Sequence, residues 1–241
     1  MHEVTGIGQR RNGRYHVAVE RLDVRGAVLE HIRITCDRLI LAAGGVHTPR
    51  LLLAAKASGA LPHLNEFVGS QWGTNTDQIQ LLRVGSMPGE GAHGGPPAFL
   101  TRSRDGLVTL THTGVGGLGK SWMLCLGMGI PDRFGRWTWS AAADAPRLEW
   151  TPRSDAGTRR ATTEHLRRVA GHVPSGATVH DPFGAHPLVV HPLGGAVLGK
   201  ATDGQGRLHG YDGLYCLDAA LMPGSTAAVN PAITIAAVVE R

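Results

Sequence analysis

Aromatic side chains are scarce, with Phe, Tyr and Trp together making 5% of the 241 residues. That leaves few platforms on which nucleobases stack. Cysteine is scarcer still. Cys36, Cys125 and Cys216 lie far apart and form no CxxC pair, so neither a disulfide framework nor a cysteine-based zinc site is expected. Each is read instead as a small buried hydrophobe. No apolar run reaches the ~18 residues of a membrane-spanning helix. A Gly-x-Ser-x-Gly phrase is missing, which weakens a serine hydrolase reading. His180, His186 and His191 are irregularly spaced and flanked by prolines, a poor pattern for zinc. A concentrated basic patch is also wanting, although the net charge is +5 and the pI about 9.6. The densest groups are Arg10-Arg11 with Arg14, Arg159-Arg160 and Arg167-Arg168. With no reading motif beside them, no nucleic-acid partner is expected.

What the chain does have is glycine, 34 residues, with a hydrophobic content of 42% and a charged content of 18%. This is the balance of an ordinary globular protein, long enough for one large domain or two small ones. Met1-His2-Glu3-Val4 runs straight into strand-like sequence, so these residues are not expected to act as a signal peptide. Tyr15 to Val19 and Ala27 to Ile34 read as strands around a polar turn at Asp23 to Gly26. Arg38 to Gly45 is a continuous apolar run ending in glycines, the pattern of a buried parallel strand. A helix is expected after it, with Thr48 as N-cap and Pro49 at its first position. Strand, glycine turn and helix are the grammar of a doubly wound sheet.

The texture changes between about residues 78 and 186. Leu107 to Thr113, Trp122 to Ile130, Arg136 to Ser140 and Arg147 to Thr151 read as strands of a separate antiparallel sheet. Ala156 to Val173 reads as its covering helix. The tail returns to the first texture: Leu214 to Asp218 is a short apolar strand with an acid at its end. Asn230-Pro231 caps a last helix.

Three segments carry a family resemblance. They are Leu41-Ala42-Ala43-Gly44-Gly45-Val46-His47-Thr48-Pro49, then Val68-Gly69-Ser70-Gln71-Trp72-Gly73-Thr74-Asn75, and then His191-Pro192-Leu193-Gly194-Gly195 through Gly199-Lys200-Ala201-Thr202-Asp203 to Leu217-Asp218 and Asn230-Pro231. In this order and spacing they resemble the glucose–methanol–choline (GMC) flavin oxidoreductases, and the His-Pro-Leu-Gly-Gly phrase resembles their cholesterol oxidase branch. The resemblance implies FAD as cofactor and hydride transfer from an alcohol carbon to the flavin. Reoxidation by O2 then yields hydrogen peroxide. It implies His191 and Asn230 as the active-site pair, with Ala43, Gly44, Gly45, Asn75, Asp218, Ala219 and Pro231 around the cofactor. A histidine with a pKa near ~6.5 suits proton removal from an alcohol. The N-terminus of the last helix suits an anionic reduced ring. For His191 the competing role is a satisfied structural histidine, for Asn230 a plain N-cap, and for Asp218 a turn residue.

The implied fold is α/β: residues 1–77 and 187–241 form an incomplete FAD-binding, Rossmann-like domain, and 78–186 an antiparallel substrate domain. No strand–Gly-x-Gly-x-x-Gly–helix unit for the pyrophosphate is found, so the N-terminal half of such a domain is expected as a missing partner. The implied substrate is a bulky apolar alcohol, sterol-like. Val108 to Thr113, where steroid-isomerising relatives carry a glutamate, offers only hydroxyls and His112. Ala196 stands where relatives often have cysteine. The alternative reading is a non-catalytic fragment, or an apolar-ligand module that needs a separate N-terminal half.

Overall fold

The computed structural model describes residues 1–85, 99–113, 121–184 and 188–240. Strands β1 (His2–Gln9), β2 (Tyr15–Leu22) and β3 (Val28–Cys36) form an antiparallel meander with β2 in the middle. The period-2 pattern is clearest in β2, where Tyr15, Val17 and Val19 are buried against the core and the alternate residues are not. Asp23 closes the next turn, its Oδ1 accepting the N–H groups of Arg25 and Ala27.

Strand β4 (Leu39–Leu41) leads through Ala42 and Ala43 into helix α1 (Gly44–Ala57). The helix begins five residues earlier than Thr48-Pro49 predicts. Two long-range interactions account for this. Asp218 Oδ2 accepts the Gly44 N–H at 2.8 Å, capping the helix from another segment. Pro49, now inside the helix, returns no N–H to the carbonyl four residues back, which is that of Gly45. The Trp72 indole N–H supplies that bond at 2.7 Å. Thr48 is not the N-cap. Its hydroxyl accepts from the Ala43 N–H and donates to Asp218 Oδ2.

Five strands build a second sheet: β5 (Gln78–Val84), β6 (Leu100–Arg102), β7 (Val108–Thr113), β8 (Trp122–Gly129) and, after the helix, β11 (Ala177–His180), in the order β11-β5-β8-β7-β6. Helix α2 (Ala156–Ala170) covers one face, where Leu82, Val84, Leu110, Cys125, Leu166 and Ala170 form a core. His112 lies on this covered face, opposite Cys125 across the β7–β8 pair and stacked on Phe99. The other face carries Ile79, Leu81, Leu124 and Leu126, all partly exposed, with Thr109 and Thr111 buried beside them.

Strands β9 (Arg136–Ser140) and β10 (Ala145–Glu149), expected in the middle sheet, form an antiparallel hairpin apart from it. Trp137, Trp139, Leu148 and Trp150 pack into the core that holds β2, α1 and Trp72. Strand alternation specified the hairpin, and only tertiary packing assigned it a core. Gly114-Val115-Gly116-Gly117-Leu118-Gly119 has Gly-x-Gly-x-x-Gly spacing but lies outside the described residues; its flanking strands β7 and β8 are antiparallel neighbours rather than a strand and a helix. Finally β12 (Leu214–Cys216) pairs in parallel with β4, and helix α3 (Pro231–Val239) ends the described chain.

Cys125 and Cys216 are buried as expected, whereas Cys36 is only half-buried. Burial pushes the Cys125 thiol up to about 12, and burial together with the Asp218 carboxylate raises that of Cys216. Both therefore behave as inert small hydrophobes.

Trp72→Phe keeps the aromatic packing but leaves the buried Gly45 carbonyl without its donor. A loss of about 1–3 kcal/mol in denaturant unfolding is expected. A second expectation concerns Asp155, which is buried with no partner on Oδ1. Burial raises its carboxyl above the ordinary range, outweighing Arg159 and the Thr74 hydroxyl. A carboxyl raised on folding binds its proton more tightly in the folded state, so its contribution is lost as pH rises from the ordinary carboxylate range through the raised value. Thermal melts between pH 4 and 7 check this: relative to Asp155→Asn, the wild type loses stability with rising pH.

Candidate active site

The site grows out of places where backbones touch. Gly45 in α1 lies so close to Pro192 that a Cβ would enter its carbonyl. Gly194 (φ +87°) and Gly195 (φ +100°) adopt left-handed conformations open to glycine. A Cβ on Gly194 would meet the Gln71 carbonyl, and one on Gly195 would stand 2.7 Å from the Pro49 ring. The two glycines of His-Pro-Leu-Gly-Gly thus accommodate the protein's own backbone and proline. Paired bonds between Gly73 and Leu193 zip the 69–73 segment to this turn.

That junction delivers Asp77 to His191. Asp77 is fully buried, and its Oδ2 accepts the backbone N–H groups of Val190 at 2.9 Å and His191 at 2.7 Å. Its Oδ1 lies 2.7 Å from His191 Nδ1. The imidazole itself is 17% exposed. Asp77 stands one residue before β5, on the alternation of Ile79 and Leu81. His191 is therefore held at the end of the face of the five-stranded sheet opposite α2.

Asn75 reaches the other half of the site. Its side-chain N–H donates to the Val229 carbonyl, and its Oδ1 accepts from the Ser225 hydroxyl and the Thr226 N–H. This buried amide shapes the loop that leads into α3. Asn230, at the N-cap position, makes no side-chain capping bond and is exposed. Pro231 follows as the buried first residue of the helix.

Asp218 is a different case. Its Oδ1 accepts from the Ala220 N–H and the Cys216 thiol, and its Oδ2 from the Gly44 N–H and the Thr48 hydroxyl. Four protein donors occupy the carboxylate, which locks β12 to the start of α1. Ala219 lies beside Gly194 through the bond from the Gly194 N–H to its carbonyl. Ala43 is exposed and Gly44 half-exposed at the turn.

The residues expected at the site from sequence thus come to one region: Ala43, Gly44 and Gly45, Asn75, His191, Asp218 and Ala219, Asn230 and Pro231. Sequence reasoning missed Asp77 and Trp72. The available signal for Asp77 was an acidic residue two positions after Asn75, directly ahead of a strand. Among the described residues no cluster of His, Cys, Asp and Glu is arranged to hold a metal ion.

Residues 138–238, which include His191, Asp218 and Asn230, match the C-terminal domain of a family model described as GMC oxidoreductase. The fold, mixed α/β with antiparallel sheets, is similar to that of solved oxidases. Pyridoxine 4-oxidase from Mesorbium loti superposes with a TM-score of 0.61 at 18% identity, over 99% of this chain and 56% of that one. An FAD-dependent oxidoreductase from Chaetomium thermophilum gives 0.65 at 16%, over 100% and 60%. A fungal aryl-alcohol oxidase gives 0.58 at 14%, over 99% and 59%. The chain therefore spans under two thirds of the length of these structures.

Proposed function

We propose that this chain is a GMC oxidoreductase and forms the substrate-side part of an FAD-dependent alcohol oxidase. The observation that carries the reading is the His191–Asp77 pair, together with an exposed Asn230 that follows the Val229 carbonyl held by Asn75, two residues before Asp77. The 138–238 match and the shared fold support it.

The residues present fit a flavin. Helix α3 begins without a side-chain cap and its start is exposed, whereas the first N–H of α1 is already held by Asp218. Free N–H groups at a helix start suit an anionic ring. Ile233, in the first turn of α3, is 84% exposed, an apolar surface of the kind a ring or a further protein segment covers. Ala43 and Gly44, the start of α3 and Asn230 would hold the cofactor, while the Asp218 carboxylate supports the turn between β4 and α1. FAD, when bound, supplies the hydride acceptor and is reoxidised by O2 to give hydrogen peroxide.

The chain's own residues do the rest. His191 takes the hydroxyl proton as the C–H bond is broken, and the Asn230 amide orients the hydroxyl. Ile79, Leu81, Leu124 and Leu126 offer apolar area to the remainder of the alcohol. A bulky, ring-bearing apolar alcohol of the sterol kind is the substrate class we propose. The second reading, a module that needs a separate N-terminal half, draws on the exposed apolar face of α3 and on the share of the related structures that this chain spans.

Oxygen consumption and peroxide formation in step with oxidation of an apolar alcohol test the activity. Protein that binds such alcohols but holds no flavin favours the second reading. In the flavin-loaded protein, His191→Ala is expected to slow flavin reduction by alcohol by roughly 10²–10⁴-fold, the range for losing a positioned acid–base group. The flavin absorbance should stay intact. An unchanged stopped-flow rate would remove His191 from the chemistry.

Product structure gives another test. Shifting a steroid double bond into conjugation needs a base over the substrate, typically a carboxylate whose pKa burial has raised. The only basic side chain of β7, His112, is on the α2-covered face, and the threonine hydroxyls are too weakly basic. A 3β-hydroxy-5-ene steroid should therefore leave mainly as the unconjugated ketone. Enone absorbance rising one for one with peroxide would overturn this.

A further inference from the structure

Asp77 does more than hold a loop. A carboxylate only accepts hydrogen bonds, so the 2.7 Å contact requires the proton on His191 Nδ1. A neutral imidazole with its proton on Nδ1 has its lone pair on Nε2. Asp77 cannot release the ring easily, because its Oδ2 is tied to the Val190 and His191 backbone N–H groups and its side chain is buried. Two of these three bonds join the carboxylate to both the backbone and the ring of His191 itself. They fix the position and the orientation of the imidazole together.

We propose that Asp77 is the positioning residue of this site, holding His191 in the Nδ1–H tautomer so that Nε2 is the base that receives the alcohol proton. This rests on the alcohol oxidase reading. In the step, the substrate O–H bond breaks and an N–H bond forms at Nε2. The electron pair of the carbinol C–H bond leaves as hydride to the flavin oxidant, and the carbon–oxygen double bond forms. The resulting imidazolium faces the Asp77 carboxylate, which stabilises its charge. The Nε2 proton is given up again when O2, two electrons and two protons become hydrogen peroxide.

Asp77→Asn separates orientation from simple packing, because the amide keeps the volume of the acid. Two of the three donors facing Asp77 are backbone N–H groups and cannot change. The amide oxygen must stay with them in the place of Oδ2, which turns the NH2 group toward Nδ1. Nδ1 then has to accept, and the ring proton moves to Nε2. The variant is thus expected to invert the histidine rather than merely loosen it.

Nitrogen NMR of the chain labelled in histidine reads this directly, with His191 assigned by the loss of its signals in His191→Gln. In the wild type Nδ1 should show the shift of a protonated ring nitrogen and Nε2 that of an unprotonated one. In Asp77→Asn the two should exchange. Flavin reduction by alcohol in the loaded Asp77→Asn protein should fall by roughly 10²–10⁴-fold, with KM changing far less than kcat. A wild-type His191 protonated on Nε2 would overturn the proposal, and this measurement does not depend on the variant folding. A folded variant that keeps the wild-type tautomer would overturn it as well. If the tautomer inverts and the reduction rate is unchanged, Asp77 sets the tautomer but Nε2 is not the base. That outcome overturns the catalytic role of His191 and leaves the structural assignment standing.

Discussion

The hydrogen bond from the Trp72 indole to the Gly45 carbonyl is the contact on which the arrangement of the site depends. Pro49 deprives that carbonyl of its ordinary helical partner, and a buried unpaired carbonyl is costly. Satisfying it brings the 69–73 segment against α1. Gly194 and Gly195 then let the 191–195 turn close over both, with no side chain between the backbones. Once these strands of chain are stacked, Asp77 has one place to go, against His191, and Asn75 has one place to go, against Val229. A shift of one residue in the 69–77 segment would break all of these at once.

Two buried carboxylates stitch distant parts of the chain together, and they show how one residue type serves two ends. Asp218 reaches Gly44 across 174 residues of sequence, and Asp77 reaches His191 across 114. Burying a carboxylate is tolerated where donors surround it. Asp218 meets four donors from the protein and has no capacity left, so it is structural. Asp77 spends one oxygen on backbone and the other on a partly exposed imidazole, so its hold is passed to a group that faces outward. The difference lies in the second partner of each, not in the depth of burial.

The five-stranded sheet divides its labour by face in the same way. The α2 side is filled by Leu82, Leu110, Cys125 and Leu166 and holds the one basic side chain of β7. The other side leaves Ile79, Leu81, Leu124 and Leu126 partly exposed, with His191 at its end. An apolar wall next to an oriented imidazole is the feature on which the proposed alcohol chemistry rests. Among the side chains of β7, none on this face is basic.

Much of this was legible in the sequence because it is local. The alternation of Tyr15, Val17 and Val19, the apolar run of β4, the hairpin of β9 and β10, and Asn230-Pro231 at the start of α3 each follow from residues within a few positions of one another. The ordered phrases around Gly44, Trp72 and His191 likewise named segments that the fold packs against one another. Tertiary structure decided the rest. The start of α1 moved from Pro49 to Gly44 because a cap and a carbonyl partner arrived from Asp218 and Trp72, which no local rule contains. Trp137 and its neighbours left the middle sheet for the other core because strand alternation says which residues face inward but not toward what. Asp77 stayed hidden for the same reason: its role is defined by a ring 114 residues away, and a contact at that range leaves no periodic trace in the chain.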